Sequence, residues 1–202
     1  MERLIIDMDK AILPKYIFQN HQYKIITDSW LCGPAQNPVE IDLVTNERKV
    51  LLRGCYPAGF LGRVKASFYH YYPQKRKDIL HVCSGAIDKT EGMRLDISPQ
   101  FNPDYICDAQ NMFMVKDETF LWTMSDTPYN ENRADTYYDK PMLNKSKVLK
   151  EMSRITKSGG FVSVLDESFP VSPPRSLECV ARISVTSVPN LTFRCYTVFR
   201  KK

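Results

Sequence analysis

A chain of 202 residues, 43% hydrophobic and 25% charged, is long enough for one domain with a substantial core, and this composition excludes a disordered or fibrous protein. No apolar run reaches the length of a membrane span, and the start, MERLIIDMDK, meets acids too soon for a signal peptide, so a cytoplasmic location is expected. The net charge of +5 is compatible with a polyanionic partner, while six scattered cysteines without a CxxC pair argue against a zinc site or a disulfide framework, and no metal is expected.

Residues 1–40 mix apolar and charged residues without a clean period, and Trp30-Leu31-Cys32-Gly33-Pro34 reads as irregular chain. Residues 41–52, IDLVTNERKVLL, read as a hairpin turning around Thr45-Asn46-Glu47-Arg48. In 60–72, FLGRVKASFYHYY, the residues Phe60, Leu61, Val64, Phe68 and Tyr71 recur at helical spacing, and Pro73 with the basic run behind it ends that helix. From Asp78 onward, buried-strand candidates alternate with connections: 79–83 (ILHVC), 93–97 (MRLDI), 105–107 (YIC) and Phe120–Ser125 (FLWTMS). The stretch from Cys83 to Met93 leaves little room for a full crossover helix. A helix is expected over 144–157, with Val148, Leu149, Met152 and Ile155 on one face and Ser158-Gly159-Gly160 as its stop. A strand at 161–165 (FVSVL) follows, and Leu177–Ser187 and 191–200 close the chain as two antiparallel strands. This order is that of an α/β protein with an antiparallel pair at its end.

In open parallel sheets, ligands bind beyond the carboxyl ends of the strands, and polar residues fall there in this chain. Cys83-Ser84-Gly85 follows the first strand of the series, where a glycine lets backbone approach a ligand closely or simply makes a strand-ending turn. Asp96 ends the second strand, placed either to accept from a pair of ribose hydroxyls or as a surface turn former. Asp108-Ala109 follows the third, and Asp108 also reads as a cap for a short helix. The fourth strand leads into Ser125-Asp126-Thr127-Pro128-Tyr129, which also reads as a polar turn. His81 is expected to pack under the sheet end rather than to ligate a metal.

The run SDTPY resembles the Asp-Pro-Pro-Tyr motif of amino-group methyltransferases that use S-adenosylmethionine. By that resemblance Asp126 and the Thr127 carbonyl accept from the target exocyclic amine, Pro128 holds the turn and Tyr129 stacks on the base. Thr127 departs from the usual proline, but keeps a carbonyl and stands before a proline, which favours extended backbone. KVLKEMSRITKSGG resembles the family's stretch before the fifth strand. The resemblance covers 60–202 by order of elements, is similar to small phage and bacterial forms, and implies a class I methyltransferase: a Rossmann-like, mixed seven-stranded sheet with a C-terminal antiparallel hairpin. It sets residues 1–59 apart as an N-terminal extension or cap.

The resemblance further implies cofactor contacts from Cys83, Ser84, Gly85, Asp96, Asp108 and Ala109, with Met112 beside Ala109 against the adenine ring. Gly85 stands alone where the family's loop has two or three glycines. After Tyr129, the residues Arg133, Tyr137, Tyr138, Lys145 and Lys147 interleave basic and aromatic groups, suiting a phosphate backbone and unstacked bases, or else a solvated loop and helix face. The implied function is methyl transfer to an exocyclic amine, adenine in DNA foremost. A catalytically inactive binding or scaffold protein, and an enzyme acting on RNA or a protein glutamine, are the alternatives.

Overall fold

A computed structural model describes residues 16–20, 23–33, 39–41, 48–50, 56–128, 142–170, 172–187 and 192–202. The apolar runs from Ile79 onward form strands, as their composition predicts. Strands β1 (Tyr16–Asn20), β2 (Tyr23–Cys32), β5 (Ile79–Val82), β6 (Met93–Asp96), β7 (Tyr105–Ile106), β8 (Phe120–Ser125), β9 (Thr156–Asp166), β10 (Leu177–Ser187) and β11 (Thr192–Lys201) make one sheet. Its order among the described residues is β1-β2-β10-β11-β9-β8-β5-β6-β7. Two further strands, β3 (Val39–Ile41) and β4 (Arg48–Val50), pair antiparallel as a separate ribbon, displaced from the hairpin read over 41–52: the first strand ends at Ile41, and Arg48, expected in the turn, begins the second.

Strands β9, β8, β5, β6 and β7 run parallel to one another in that order across the sheet. The last strand, β11, inserts antiparallel between β9 and β10. The seven expected strands are therefore present, and among the described residues two more extend the sheet. The addition is β2, which pairs parallel with β10 and carries β1 on its outer side. Within it Trp30 and Cys32 are buried while Ser29 and Leu31 are exposed, the alternation of a strand with one covered face. The run read as irregular chain is thus the end of a strand that covers an otherwise open edge.

Helix α1 (Phe60–Ser67) packs on one face of the sheet, and α2 (Lys145–Ile155) on the other. Phe60, Val64 and Phe68 join Trp30, Trp122 and Tyr196 in the first core layer. Val148, Leu149, Met152 and Ile155 join Leu80, Leu95 and Phe120 in the second. Trp122 stacks on Phe161 with ring centroids 4.9 Å apart and donates its Nε1 hydrogen to Ser163 Oγ at 2.8 Å. The helix expected over 60–72 ends early. Turns follow Ser67, and Tyr72 is buried while Tyr71, expected on the helix's apolar face, is exposed.

The glycine stop expected for α2 is also corrected. The helix ends at Ile155 and the chain enters β9 at once, with Gly159 and Gly160 inside that strand. Pairing with β8 jumps from Phe120↔Thr156 to Trp122↔Phe161, so the two glycines sit in a bulge. A Cβ on Gly160 would lie 2.7 Å from the Leu121 carbonyl oxygen and 2.9 Å from that of Lys157, which is why no side chain fits.

His81 is fully buried, with Nδ1 3.3 Å from the Tyr56 hydroxyl. Burial pushes its imidazole down to about 4. Above the unfolded value near 6.5 the ring is neutral in both states. Between there and about 4, the unfolded chain takes a proton that the folded chain refuses, so stability falls. At pH 5 the expected loss from this group is about 2 kcal/mol. Urea unfolding at pH 7 and pH 5 should show this loss in the parent and not in His81→Gln; equal losses in the two proteins would contradict it.

Candidate functional site

Strand register brings the predicted residues to one edge. Val82 pairs with Leu95 on one side and with Ser125 on the other, while Asp96 pairs with Ile106. The segments starting at Cys83, Asp96, Cys107 and Asp126 therefore leave the sheet side by side, at the carboxyl ends of parallel strands. Cys83 and Gly85 both have positive φ, 56° and 49°, which folds the first connection back on itself. Ser84 N–H donates to the Leu95 carbonyl at 3.0 Å, and Gly85 N–H donates to Asp96 Oδ2 at 2.8 Å.

Asp96 is 1% exposed and holds two connections at once, since its Oδ1 accepts from Ser98 N–H at 2.9 Å. The carboxylate expected on an exposed edge is a buried clamp. Burial raises its pKa, and the N–H groups of Ser98, Gly85 and Ile97 oppose that rise. Asp108 is half-buried and closes a turn: Oδ1 accepts from Gln110 N–H at 2.8 Å, and Asn111 N–H donates to the Asp108 carbonyl at 2.9 Å. Gln110 Oε1 in turn accepts from Asn144 N–H at 2.9 Å, tying this turn to the start of α2. Ala109 and Met112 both lie in the core. Met112 is fully buried, so the side chain expected to flank an adenine ring is not at the surface.

The Cys83 thiol is pushed well up by burial and then by the nearby carboxylates of Asp96, Asp126 and Asp108. Acids from three connections thus act on the one thiol. The Ser84 hydroxyl is fully buried and has no hydrogen-bond partner among the described residues.

Asp126 follows β8 directly, and its Oδ2 lies 3.7 Å from Arg194 Nη1 of β11, both side chains nearly buried. Arg194 was not visible as a site residue in the sequence. The one signal for it is an arginine between Phe193 and Cys195, away from Arg200 and Lys201 at the strand's end. Thr127 and Pro128 are buried, and Tyr129, Arg133, Tyr137 and Tyr138 lie outside the described residues.

Lys145 and Lys147 stand at the start of α2, where Asn144 Oδ1 caps the helix by accepting from Lys147 N–H at 3.1 Å. Their side chains differ in surroundings. Lys147 is exposed, whereas Lys145 Nζ donates to Asp166 Oδ1 at 2.7 Å. Asp166, which ends β9, is the second residue that sequence reasoning missed. Beside this pair a cavity of about 270 Å³ opens between the ends of β8 and β9 and helix α2. Among the described residues no three metal-ligating side chains cluster, and no helix is long and apolar enough to cross a membrane.

No family model matches the chain, and no curated protein matches it in sequence. Among solved structures it is similar to TrmN from Thermus thermophilus, at 11% identity and a TM-score of 0.52, over 70% of this chain and 49% of that one. It is also similar to a Listeria monocytogenes protein described as a class I S-adenosylmethionine-dependent methyltransferase, at 11% identity and a TM-score of 0.51, over 76% of this chain and 62% of that one. The chain spans about half the length of the first and under two thirds of the second. At such identity the likeness is one of fold. With the last strand inserted antiparallel beside a parallel series, the chain has the Rossmann-like fold of class I methyltransferases.

Proposed function

We propose that the protein is an S-adenosylmethionine-dependent methyltransferase acting on an exocyclic amine, with adenine in DNA as its acceptor. One observation carries this reading: Asp126 and Thr127 leave β8 at the same sheet edge as the Cys83-Ser84-Gly85 connection, Asp96 and Asp108. Asp96 and Asp108 bring carboxylates to that edge, which suits a cationic sulfonium ligand. The buried Ser84 hydroxyl supplies a polar group in search of a partner. Residues 83–85, Asp96 and Asp108 with Ala109 would hold the cofactor, which supplies an electrophilic methyl group and a neutral thioether leaving group.

The chain's own contribution is placement and charge. Asp126 and the Thr127 carbonyl accept from the acceptor amine and turn its lone pair out of conjugation. As nitrogen gains a fourth bond it becomes positive, and a carboxylate in a nearly buried position stabilises that charge more than it does the ground state. Arg194 beside Asp126 keeps a positive partner on the carboxylate, so the amine meets an already oriented acceptor. DNA as the acceptor rests on the net charge of +5, the exposed Lys147 and Lys150, and the basic and aromatic segment after Tyr129.

A second reading, a binding scaffold without catalysis, has its own support. Asp96 already occupies Gly85 N–H, and Arg194 already faces Asp126. Transfer of tritium from methyl-labelled cofactor to DNA separates the two readings.

A further inference from the structure

A second cavity, of about 290 Å³, lies at the edge of the sheet opposite the candidate site. Its residues gather at the amino ends of the parallel strands: Ile79 begins β5, and Thr90 and Glu91 lie just ahead of β6. The segment that walls it is anchored from within. Phe68 and Tyr72 each set a ring centroid 5.5 Å from that of Trp122, and the Tyr71 and Tyr72 N–H groups both donate to the Phe68 carbonyl at 2.8 Å. Tyr69 and Tyr71 are left outward, 70% and 63% exposed, and Tyr69 also lines the cavity.

Its interior is charge-balanced and its rim is cationic. Inside, Lys65 Nζ lies 2.6 Å from the Glu91 carboxylate, and Arg76 is tied to both Asp104 oxygens, at 2.6 and 2.7 Å. The Tyr72 hydroxyl is buried with no hydrogen-bond partner among the described residues. Burial and then the Glu91 carboxylate push its pKa up, so it keeps its proton as a donor. At the rim, flanking Arg76 and Thr90, Lys75, Lys77 and Lys89 are exposed and form no ion pair among the described residues. The rim acids are fewer: the half-exposed Asp78, and Asp88, whose carboxylate accepts from the N–H and hydroxyl of Thr90 at 2.7 and 2.6 Å. A phosphate inside would meet Glu91, whereas an uncharged ring would not. The volume is that of roughly ten waters at liquid density, enough for one base.

We propose that this groove binds single-stranded DNA, with one base entering beside Tyr69 and neighbouring phosphates meeting Lys75, Lys77 and Lys89. Surfaces of this kind join ring faces, on which any base can stack, to cations that follow the backbone. A duplex keeps its base faces in its own stack and would gain only the lysines. A bilayer suits the surface less, because no leucine, isoleucine, valine or methionine stands among residues 69–77 to enter it. The choice of DNA over RNA rests on the acceptor proposed above. The groove itself lies away from Asp126 and needs no methyl transfer, so it is an anchor for the strand and not a second reaction site.

The test uses the intact protein and a labelled oligothymidylate of about fifteen nucleotides. Thymine has no exocyclic amine, so this probe offers nothing to Asp126 and reads the groove apart from methyl transfer. Affinity is followed by fluorescence anisotropy between about 50 and 200 mM salt. Tyr69→Ala, a change at an exposed side chain, should weaken binding about tenfold, and the matching duplex should bind weaker than the single strand by about as much. Lys75→Ala/Lys77→Ala should reduce the slope of log affinity against log salt by about 1.4, the share of two phosphate contacts on a single strand. Parent affinity in Tyr69→Ala, equal affinity for the duplex or for heparin, tighter binding of oligouridylate, or no binding at all overturns the proposal. The expected losses in a protein that methylates nothing would support the groove and overturn the methyltransferase reading. Methyl transfer by a protein that does not bind the probe would do the reverse.

Discussion

Asp126→Ala should lower methyl transfer by about two to three orders of magnitude, the scale seen when one preorganised transition-state contact is removed. Cofactor affinity should stay within about twofold, because the cofactor residues lie on other connections. The expected split is a fall in kcat with little change in cofactor binding. Asp126 also faces Arg194 at 3.7 Å, so its removal takes a partner from a nearly buried guanidinium. Breaking a buried pair from one side can cost about 3–5 kcal/mol. Stability is therefore measured alongside activity, and Asp126→Ala/Arg194→Met serves as the control in which neither charge remains. A folded double variant that stays inactive assigns the loss to the missing acceptor. Asp126→Asn keeps an acceptor oxygen and should retain part of the rate. Full activity in Asp126→Ala would remove this residue from the chemistry.

Asp96→Ala should unsettle the protein even before any cofactor is added. Its carboxylate accepts from Gly85 N–H and Ser98 N–H in a position that is 1% exposed. Alanine would leave two buried donors without an acceptor, at about 1–3 kcal/mol each. A loss of about 2 kcal/mol corresponds to a fall in Tm of roughly 4–8 °C in a chain of this size. Cofactor affinity should fall with it by about tenfold or more, since the connection that carries Gly85 is no longer tied to the end of β6. Asparagine is not a neutral replacement, because its amide nitrogen would face one of two N–H donors. Thermal unfolding of the cofactor-free variant is the discriminating measurement. An unchanged Tm with weakened cofactor binding would return Asp96 to a purely ligand-binding role.

The site edge was legible in the sequence because its signals are local. Apolar runs of strand length end in Cys83, Asp96, Cys107 and Ser125, and parallel pairing gathers the connections beyond them at one edge. Contacts that join distant segments were not legible. Strand β2 takes its place in the sheet by pairing with β10, far along the chain. Arg194 reaches Asp126 only when β11 folds between β9 and β10, and Asp166 reaches Lys145 only when β9 and α2 come together. Lys145 reads in sequence as one of several lysines on a solvated helix, and the structure turns it toward Asp166. The glycine pair at 159–160 has the composition of a helix stop, yet its need for space comes from the Leu121 carbonyl of the neighbouring strand.

The most direct test of the methyltransferase reading is tritium transfer from methyl-labelled S-adenosylmethionine, with DNA, RNA and protein offered in parallel. After hydrolysis and separation of the nucleosides, label is expected in the DNA arm, on the exocyclic amine of adenine, and should vanish in Asp126→Ala. Cofactor binding by the same preparation, with no label entering any of the three acceptors, would contradict the account and leave a binding scaffold in its place.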